Sequence, residues 1–308
     1  MSKYLVTGGA GFIGSHLVRT LLAQNAGVRV LDDFSTGKRD NLAGLPIELV
    51  EADLRDASGV ARAVQDVDFI FHEAAFVSVP QSMQDPAACF DINQRGTETL
   101  LEAARKNGVK RVVLASSAAV YGDSQALPLD EQTVLYPGSP YAVSKRVDEL
   151  YAELYSRSFD LPVVALRYFN VYGPRQRPDS MYAAAVPIFA RRLLDGAAIT
   201  IYGDGGQTRD LIYVGDVVRA NLTACEHPAA PGQVFNVCTG EETRVIDLVE
   251  TLTDFIPTAS KPQFVAARPG DIYRSIGSPQ KAADVLGFRA QTPLADGLKA
   301  VVDWMKSN

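Results

Sequence analysis

The stretch Thr7-Gly8-Gly9-Ala10-Gly11-Phe12-Ile13-Gly14 constrains this chain more than any other. It follows a β-type run, Lys3 to Thr7. It precedes apolar residues at helical spacing: Phe12, Ile13, Leu17, Val18, Leu21 and Leu22. Glycines at 8, 11 and 14 permit a tight turn, a close backbone approach to a pyrophosphate, and close packing of helix on strand. The start of that helix offers free N–H groups and a positive dipole end to phosphates. A second strand, Val28 to Leu31, runs into Asp32. A carboxylate there accepts hydrogen bonds from adenosine ribose hydroxyls and repels a 2′-phosphate, which favours NAD over NADP.

Strand and helix patterns go on alternating. Ile47 to Val50, Asp68 to Phe71, Arg111 to Ala115 and Pro162 to Tyr168 read as strands, with helices at Pro86 to Lys106 and Pro140 to Phe159. This order predicts an α/β fold, a Rossmann-type doubly wound parallel sheet with right-handed crossovers. Beyond it, short strands at Ala198 to Tyr202 and Gln233 to Val237 alternate with helices at Ala185 to Leu194, Val214 to Ala224 and Val245 to Phe255. These predict a smaller C-terminal α/β lobe for the substrate. The expected division is residues 1–170 for the cofactor domain and 171–308 mainly for the lobe, with the chain crossing between them more than once.

Composition narrows the class. The 308 residues are 47% apolar and 21% charged, which excludes a disordered chain or a small disulfide scaffold. A net charge of −6 disfavours nucleic acid as a partner. No window reaches the length of a membrane span, and the start shows no signal-peptide pattern, so a cytoplasmic soluble protein is expected. The three cysteines, Cys89, Cys225 and Cys238, have no metal-ligand spacing and read as buried apolar groups.

Tyr141-Ala142-Val143-Ser144-Lys145 puts a phenol and an ammonium on one helix face. A free phenol, with a pKa of about 10, is a poor base at neutral pH. A cation held close favours the phenolate, which can then take a proton from a sugar hydroxyl while hydride leaves the adjacent carbon for a nicotinamide. Upstream, Ser116 and Ser117 end a strand where parallel sheets bind ligands. Ser117 suits a hydrogen bond to the same substrate oxygen, or a local cap. Asp53 suits an adenine amino group, or the start of a helix.

Together these residues resemble the extended short-chain dehydrogenase/reductase family. The resemblance also takes in His72-Glu73-Ala74-Ala75, Asn93 with Gly96-Thr97, and Arg167-Tyr168-Phe169-Asn170-Val171-Tyr172-Gly173-Pro174-Arg175. It implies a cofactor, NAD, bound by Gly8, Gly11, Phe12 and Ile13, by Asp32, Asp33, Ser35, Thr36 and Gly37, and by Asp53 and Leu54. Ala74, Ala75, Asn93, Ser116, Tyr168 and Val171 would complete that site beside Tyr141 and Lys145. It implies Ser117, Tyr141 and Lys145 as the catalytic set.

Within the family, nucleotide-sugar dehydratases carry acidic residues after the active-site Ser/Thr, and related decarboxylases carry a Glu. Here those positions are Ala118 and Ala119, which transfer no proton. The chain therefore resembles the UDP-hexose 4-epimerases. That implies a UDP-sugar partner, with Val77, Ser78, Asn170, Arg209 and Arg268 near sugar or diphosphate, and Asp271 on the uridine ribose. Ala185, Val186, Ile201 and Tyr202 would line the uracil pocket. On residue type alone, Arg209 and Arg268 equally suit a solvated face.

Ser275, four residues beyond Asp271, stands where sugar-size selection occurs in relatives. A small residue there, with Ala75 to Pro80 and Tyr182 to Pro187, resembles the subgroup that prefers UDP-N-acetylhexosamines; a plain loop serine is the other reading. Expected substrates are UDP-GlcNAc and UDP-GalNAc, with UDP-Glc and UDP-Gal also accepted. The alternatives are an epimerase restricted to the non-acetylated pair, a UDP-glucuronate 4-epimerase, and an NAD-sensing binding module. The helices from Pro86 and Pro140 suit a homodimer.

Overall fold

The computed structural model describes residues 2–178, 185–257, 260–267 and 272–308. Five strands follow one another in the first half of the large sheet: β1 (Lys3–Thr7), β2 (Gly27–Asp32), β3 (Glu48–Glu51), β4 (Phe69–His72) and β5 (Arg111–Ser117). β6 (Val163–Tyr168) follows them, and a later strand, Val234–Val237, closes the far edge. The order across the sheet is β3-β2-β1-β4-β5-β6 and then that last strand, and every pairing is parallel. Strand order reverses between β1 and β4, so a crevice opens at their carboxyl ends, where sheets of this kind bind ligands.

The strands are apolar on both faces because helices cover both. Leu5, Val6, Ile70, Phe71, Val112, Val113, Val164 and Leu166 are all inaccessible to solvent. α1 (Phe12–Ala23) lies on one side with α8 (Val214–Glu226) beside it. On the other side, α2 (Ala57–Val64) packs with α5 (Gly96–Lys106), and α6 (Pro140–Ser158) covers β5 and β6. Asp56 caps α2 by accepting from Ser58 N, and Ser139 caps α6 by accepting from Ala142 N.

The helix expected over Pro86 to Lys106 is interrupted. α3 (Val79–Gln84) and α4 (Pro86–Cys89) lead into a wide π-helical turn, Phe90–Arg95, before α5. The π turn brings Asn93 inward: its Oδ1 accepts from Phe76 N at 2.7 Å, and its Nδ2 donates to Ser144 Oγ at 2.8 Å. The loop after β4 is thereby fastened to α6, a constraint that apolar periodicity cannot reveal.

The second lobe has its own core. α7 (Ala185–Leu194), α9 (Val245–Phe255) and α11 (Leu294–Ser307) bury Phe189, Leu193, Leu248, Leu252, Leu298 and Val302 against one another. Three two-stranded ribbons accompany it: β7 (Asn170–Tyr172) with β10 (Leu211–Tyr213), β8 (Thr200–Tyr202) with β13 (Gln263–Val265), and β9 (Thr208–Arg209) with β12 (Thr243–Arg244). The chain also returns to the large sheet after residue 171, through α8, through β11 (Val234–Val237) and through α10 (Gln280–Leu286), which packs on β11.

β11 therefore belongs to the main core despite its late position. Phe235 is completely buried there. Phe235→Ala is expected to lower unfolding free energy by about 3–5 kcal/mol in denaturant titration. A loss of less than about 0.5 kcal/mol, the usual scale for surface substitutions, would show that β11 is not a core strand.

Candidate active site

The turn after β1 is shaped by what its glycines exclude. Gly8 has φ +66°, and a Cβ on it would lie 2.7 Å from Ala74 N. A Cβ on Gly14 would fall 2.2 Å from Gly8 O. The loop is thus pressed against both β4 and α1, and only bare backbone fits. Gly11 precedes α1 with no side-chain cap, so the N–H groups of Phe12 and Ile13 lie at an open, positive helix end. That is a cradle for a diphosphate.

Asp32 ends β2 and is buried. Its Oδ2 accepts from Ala10 N and its Oδ1 from Phe34 N, both at 2.8 Å. Burial raises its pKa, and the two N–H groups offset part of that rise. Each oxygen keeps a further lone pair for a ribose hydroxyl. A Cβ on Gly37 would sit 2.9 Å from Asp32 Oδ1, so glycine leaves that oxygen uncovered. Ser35 caps the turn locally, donating its hydroxyl to Asp33 Oδ1 at 2.6 Å. Thr36 offers its carbonyl to Arg177 Nη1. These residues fit the dinucleotide expected from the sequence.

Other expected cofactor residues spend their side chains within the protein. Asp53 accepts from Arg55 Nη2 at 2.6 Å and from Arg55 Nε at 2.9 Å, and it does not cap α2. Ser116 donates to Glu149 Oε1 at 2.7 Å. Asn93 is occupied as described above. Tyr168 donates to Glu73 Oε1 at 2.8 Å and accepts from Asn221 Nδ2 at 2.7 Å. Ser116, Asn93 and Tyr168 thus have side-chain partners of their own within the protein. Leu54 is buried and Val171 is half-buried in the apolar interior. Ala74 and Ala75 are half-buried in the loop beside Gly8.

The first turns of α6 carry both members of the expected catalytic pair. Pro140 opens the helix, and Tyr141 N donates to Ser82 Oγ. Lys145 is one turn on, buried, with Nζ 3.1 Å from Asp148 Oδ2. Burial opposes its charge. The Asp148 carboxylate and the Tyr141 side chain outweigh that and hold its pKa above the ordinary lysine value. Asp148 in turn is pushed up to about 6 by burial, against the pull of Lys145. Ser117 ends β5, and its Oγ accepts from Ala119 N at 3.1 Å, which leaves the hydroxyl proton to donate. So Ser117 does form the local cap that its residue type allowed.

Behind this pair stands a buried charged network. Glu149 accepts from Arg167 Nε at 2.7 Å, from Arg167 Nη2 at 2.9 Å and from Arg146 Nη1 at 2.9 Å. Arg167 also donates to Tyr121 Oη at 2.8 Å, and Tyr121 donates to Asn236 Oδ1 at 2.7 Å. One cluster thus ties α6 to β5, β6 and β11.

On the lobe side, Asn170 is exposed on β7 and Arg209 is half-buried on β9. Arg209 Nη1 donates to Thr208 O. Val186 and Ile201 were expected to line a base pocket. Their side chains instead lie almost wholly inside the lobe's core, so only their backbones can face a ligand. Ala185 is half-buried at the start of α7, and Tyr202 is partly exposed. Val77 is exposed on the loop after β4, and Ser78 caps α3. Ser275 is half-buried, next to the Arg274–Glu242 ion pair. Arg268, Asp271 and Tyr182 to Ala184 lie outside the described residues.

Sequence reasoning left two acids without a role. Asp148 follows Lys145 by three residues, a spacing that places it within reach on one helix. Glu73 is half-buried after β4, and burial pushes it up to about 7 although Tyr168 donates to it. Both acids have raised pKa values, so the fold favours their protonated forms. Their stabilising contribution is full below about pH 4 and is lost as pH rises through about 6 and about 7. Glu73→Gln should therefore shrink the drop in Tm between about pH 5 and about pH 8. An unchanged drop would show that Glu73 does not titrate in this range.

Comparison with known proteins agrees with this geometry. The sequence profile of the NAD dependent epimerase/dehydratase family matches residues 4–238. UDP-glucose 4-epimerase of Mycolicibacterium smegmatis is 41% identical over 311 residues, covering 99% of both chains. The crystal structure of UDP-glucose 4-epimerase from Thermotoga maritima with UDP-glucose has a TM-score of 0.95 at 38% identity, over 99% of each chain. UDP-N-acetylglucosamine 4-epimerase from Methanobrevibacter ruminantium, in complex with UDP-N-acetylmuramic acid, also gives 0.95, at 36% identity over 99% of this chain and 98% of that one.

Proposed function

The chain belongs to the NAD dependent epimerase/dehydratase family, and we propose that it interconverts UDP-hexoses that differ in configuration at C4. The carrying observation is the Tyr141–Lys145 pair on α6, a helix that packs on β5 and on the turn after it, where Ser117 is followed by two alanines at positions where water elimination would need acids. NAD, when bound, supplies a reversible acceptor for the C4 hydride.

Tyr141 takes the proton from the 4-hydroxyl and later returns it. The Lys145 ammonium offsets the negative charge that the phenol oxygen carries before it takes that proton and again after returning it. Asp148 fixes that ammonium in place. Ser117 donates its remaining proton to the substrate oxygen, which holds the carbonyl formed there within reach of Tyr141. Asn170 and Arg209 hold the diphosphate, with Arg268 and Asp271 assigned to the same UDP moiety. A firmly held UDP and a loosely held ring let the keto sugar present its other face. Inverted configuration follows when the proton and hydride return.

The acetylated pair, UDP-GlcNAc and UDP-GalNAc, is the preferred substrate in this reading, with UDP-Glc and UDP-Gal also turned over. The small side chain at Ser275 leaves room for an acetamido group. The protein acts as a homodimer. Met83, Phe90, Val143, Leu150 and Leu154 form an exposed apolar surface on α3, the π turn and α6, which a second copy would cover. Among the described residues no helix is long and apolar enough to cross a membrane, and the three cysteines are free and buried, which suits a reducing cytoplasm.

Incubation with each UDP-hexose, with products resolved by NMR, tests the activity; recovery of unchanged sugar in every case would refute it. Tyr141→Phe should lower turnover by roughly a hundredfold or more, the contribution of a positioned general base. An unchanged rate removes Tyr141 from the mechanism. Ser275→Tyr should suppress turnover of the acetylated pair selectively. Equal loss on both pairs would show that residue 275 does not filter by size.

A further inference from the structure

Gln207 is only 8% exposed, at the lead into β9. Its Nε2 donates to Tyr202 O at 2.7 Å, which orients the amide and makes Oε1 the free acceptor. Oε1 is buried and, among the described residues, has no hydrogen-bond partner. A buried carbonyl without a donor is a standing cost, sustained where a ligand provides what the protein lacks.

The surroundings say where that ligand lies. Among the described residues, a Cβ built on Gly203 would meet Ala267 Cβ at 3.7 Å and Gln207 Oε1 at 4.0 Å. The orphan oxygen therefore faces the glycine turn that follows β8, and φ +79° at Gly203 keeps side chains out of that space. Tyr202 and Phe264 expose aromatic rings on the adjoining ribbon, surfaces on which a flat base can lie. Arg209, assigned to the diphosphate, follows Gln207 by two residues.

We propose that Gln207 Oε1 accepts a hydrogen bond from the uridine half of the substrate, either from the imide N–H of the base or from a ribose hydroxyl, and so takes part in selecting the nucleotide. The assignment rests on the UDP-hexose reading of the site. It makes Gln207 a specificity residue with no part in proton transfer. A site built around such an acceptor rejects ligands that lack the donor, because the acceptor is then left unpaired.

Calorimetric titration of the NAD-loaded protein with UDP, CDP, 2′-deoxy-UDP and 3′-deoxy-UDP tests this. In the unaltered protein at least one analogue should bind roughly tenfold or more weakly than UDP. Gln207→Met, which retains side-chain volume, should weaken UDP by a similar factor while affecting that same analogue about twofold or less. Loss of discrimination against CDP identifies the imide, and loss against a deoxy ligand identifies the hydroxyl; either supports the proposal. Equal weakening of all four ligands, as from a disturbed turn, overturns it. So does unaltered binding of UDP by the variant. If Gln207→Met does not retain NAD, the unaltered protein still decides: equal affinity for all four ligands refutes the proposal. Failure of the unaltered protein to bind UDP at all would instead overturn the UDP-hexose reading, and this inference with it.

Discussion

A lysine ammonium removed from water is the interaction on which the site depends. Lys145 is buried on α6, and taking such a charge out of solvent costs several kcal/mol unless partners are fixed around it. Asp148 is that partner on one side, at 3.1 Å. Tyr141, one turn away, shares the same field. The arrangement is poor as a stabilising device, since Asp148 is itself pushed up to about 6 by the burial it shares. In the proposed reaction its use is to hold a positive charge steady beside a phenol whose oxygen gains and loses a proton.

That charge stays in place because α6 cannot slide. Glu149, one residue beyond Asp148, is bound by the forked guanidinium of Arg167 from β6 and by the hydroxyl of Ser116 from β5. Bidentate pairing fixes orientation as well as distance. Asn93, on the π turn, holds the loop after β4 against Ser144 of the same helix. The backbone near Gly8 and the helix bearing Tyr141 are therefore positioned through one set of buried contacts.

Much of this was legible in the sequence. The alternation of strand and helix, the glycine spacing, and the Tyr141–Lys145 pair each depend on local pattern, and local pattern survives without coordinates. What escaped depends on side-chain placement. Asp53 suits adenine recognition by its place after β3, and Arg55, two residues on, pairs with its carboxylate. Ile201 reads as a pocket residue by resemblance, yet the pleat of a three-residue strand turns its side chain into the lobe's core. The π turn at Phe90–Arg95 leaves no trace in apolar spacing, because its inward residue is polar. Glu73 and Gln207 looked ordinary, and their interest lies in what surrounds them after folding.

In the proposed reaction one carbon is oxidised and re-reduced from its other face with the same hydride. A UDP-hexose carrying deuterium only at C4 is the substrate for the decisive measurement. The epimer should retain the label in full at C4 and nowhere else. Loss of label to water, or its appearance at C6, would contradict it.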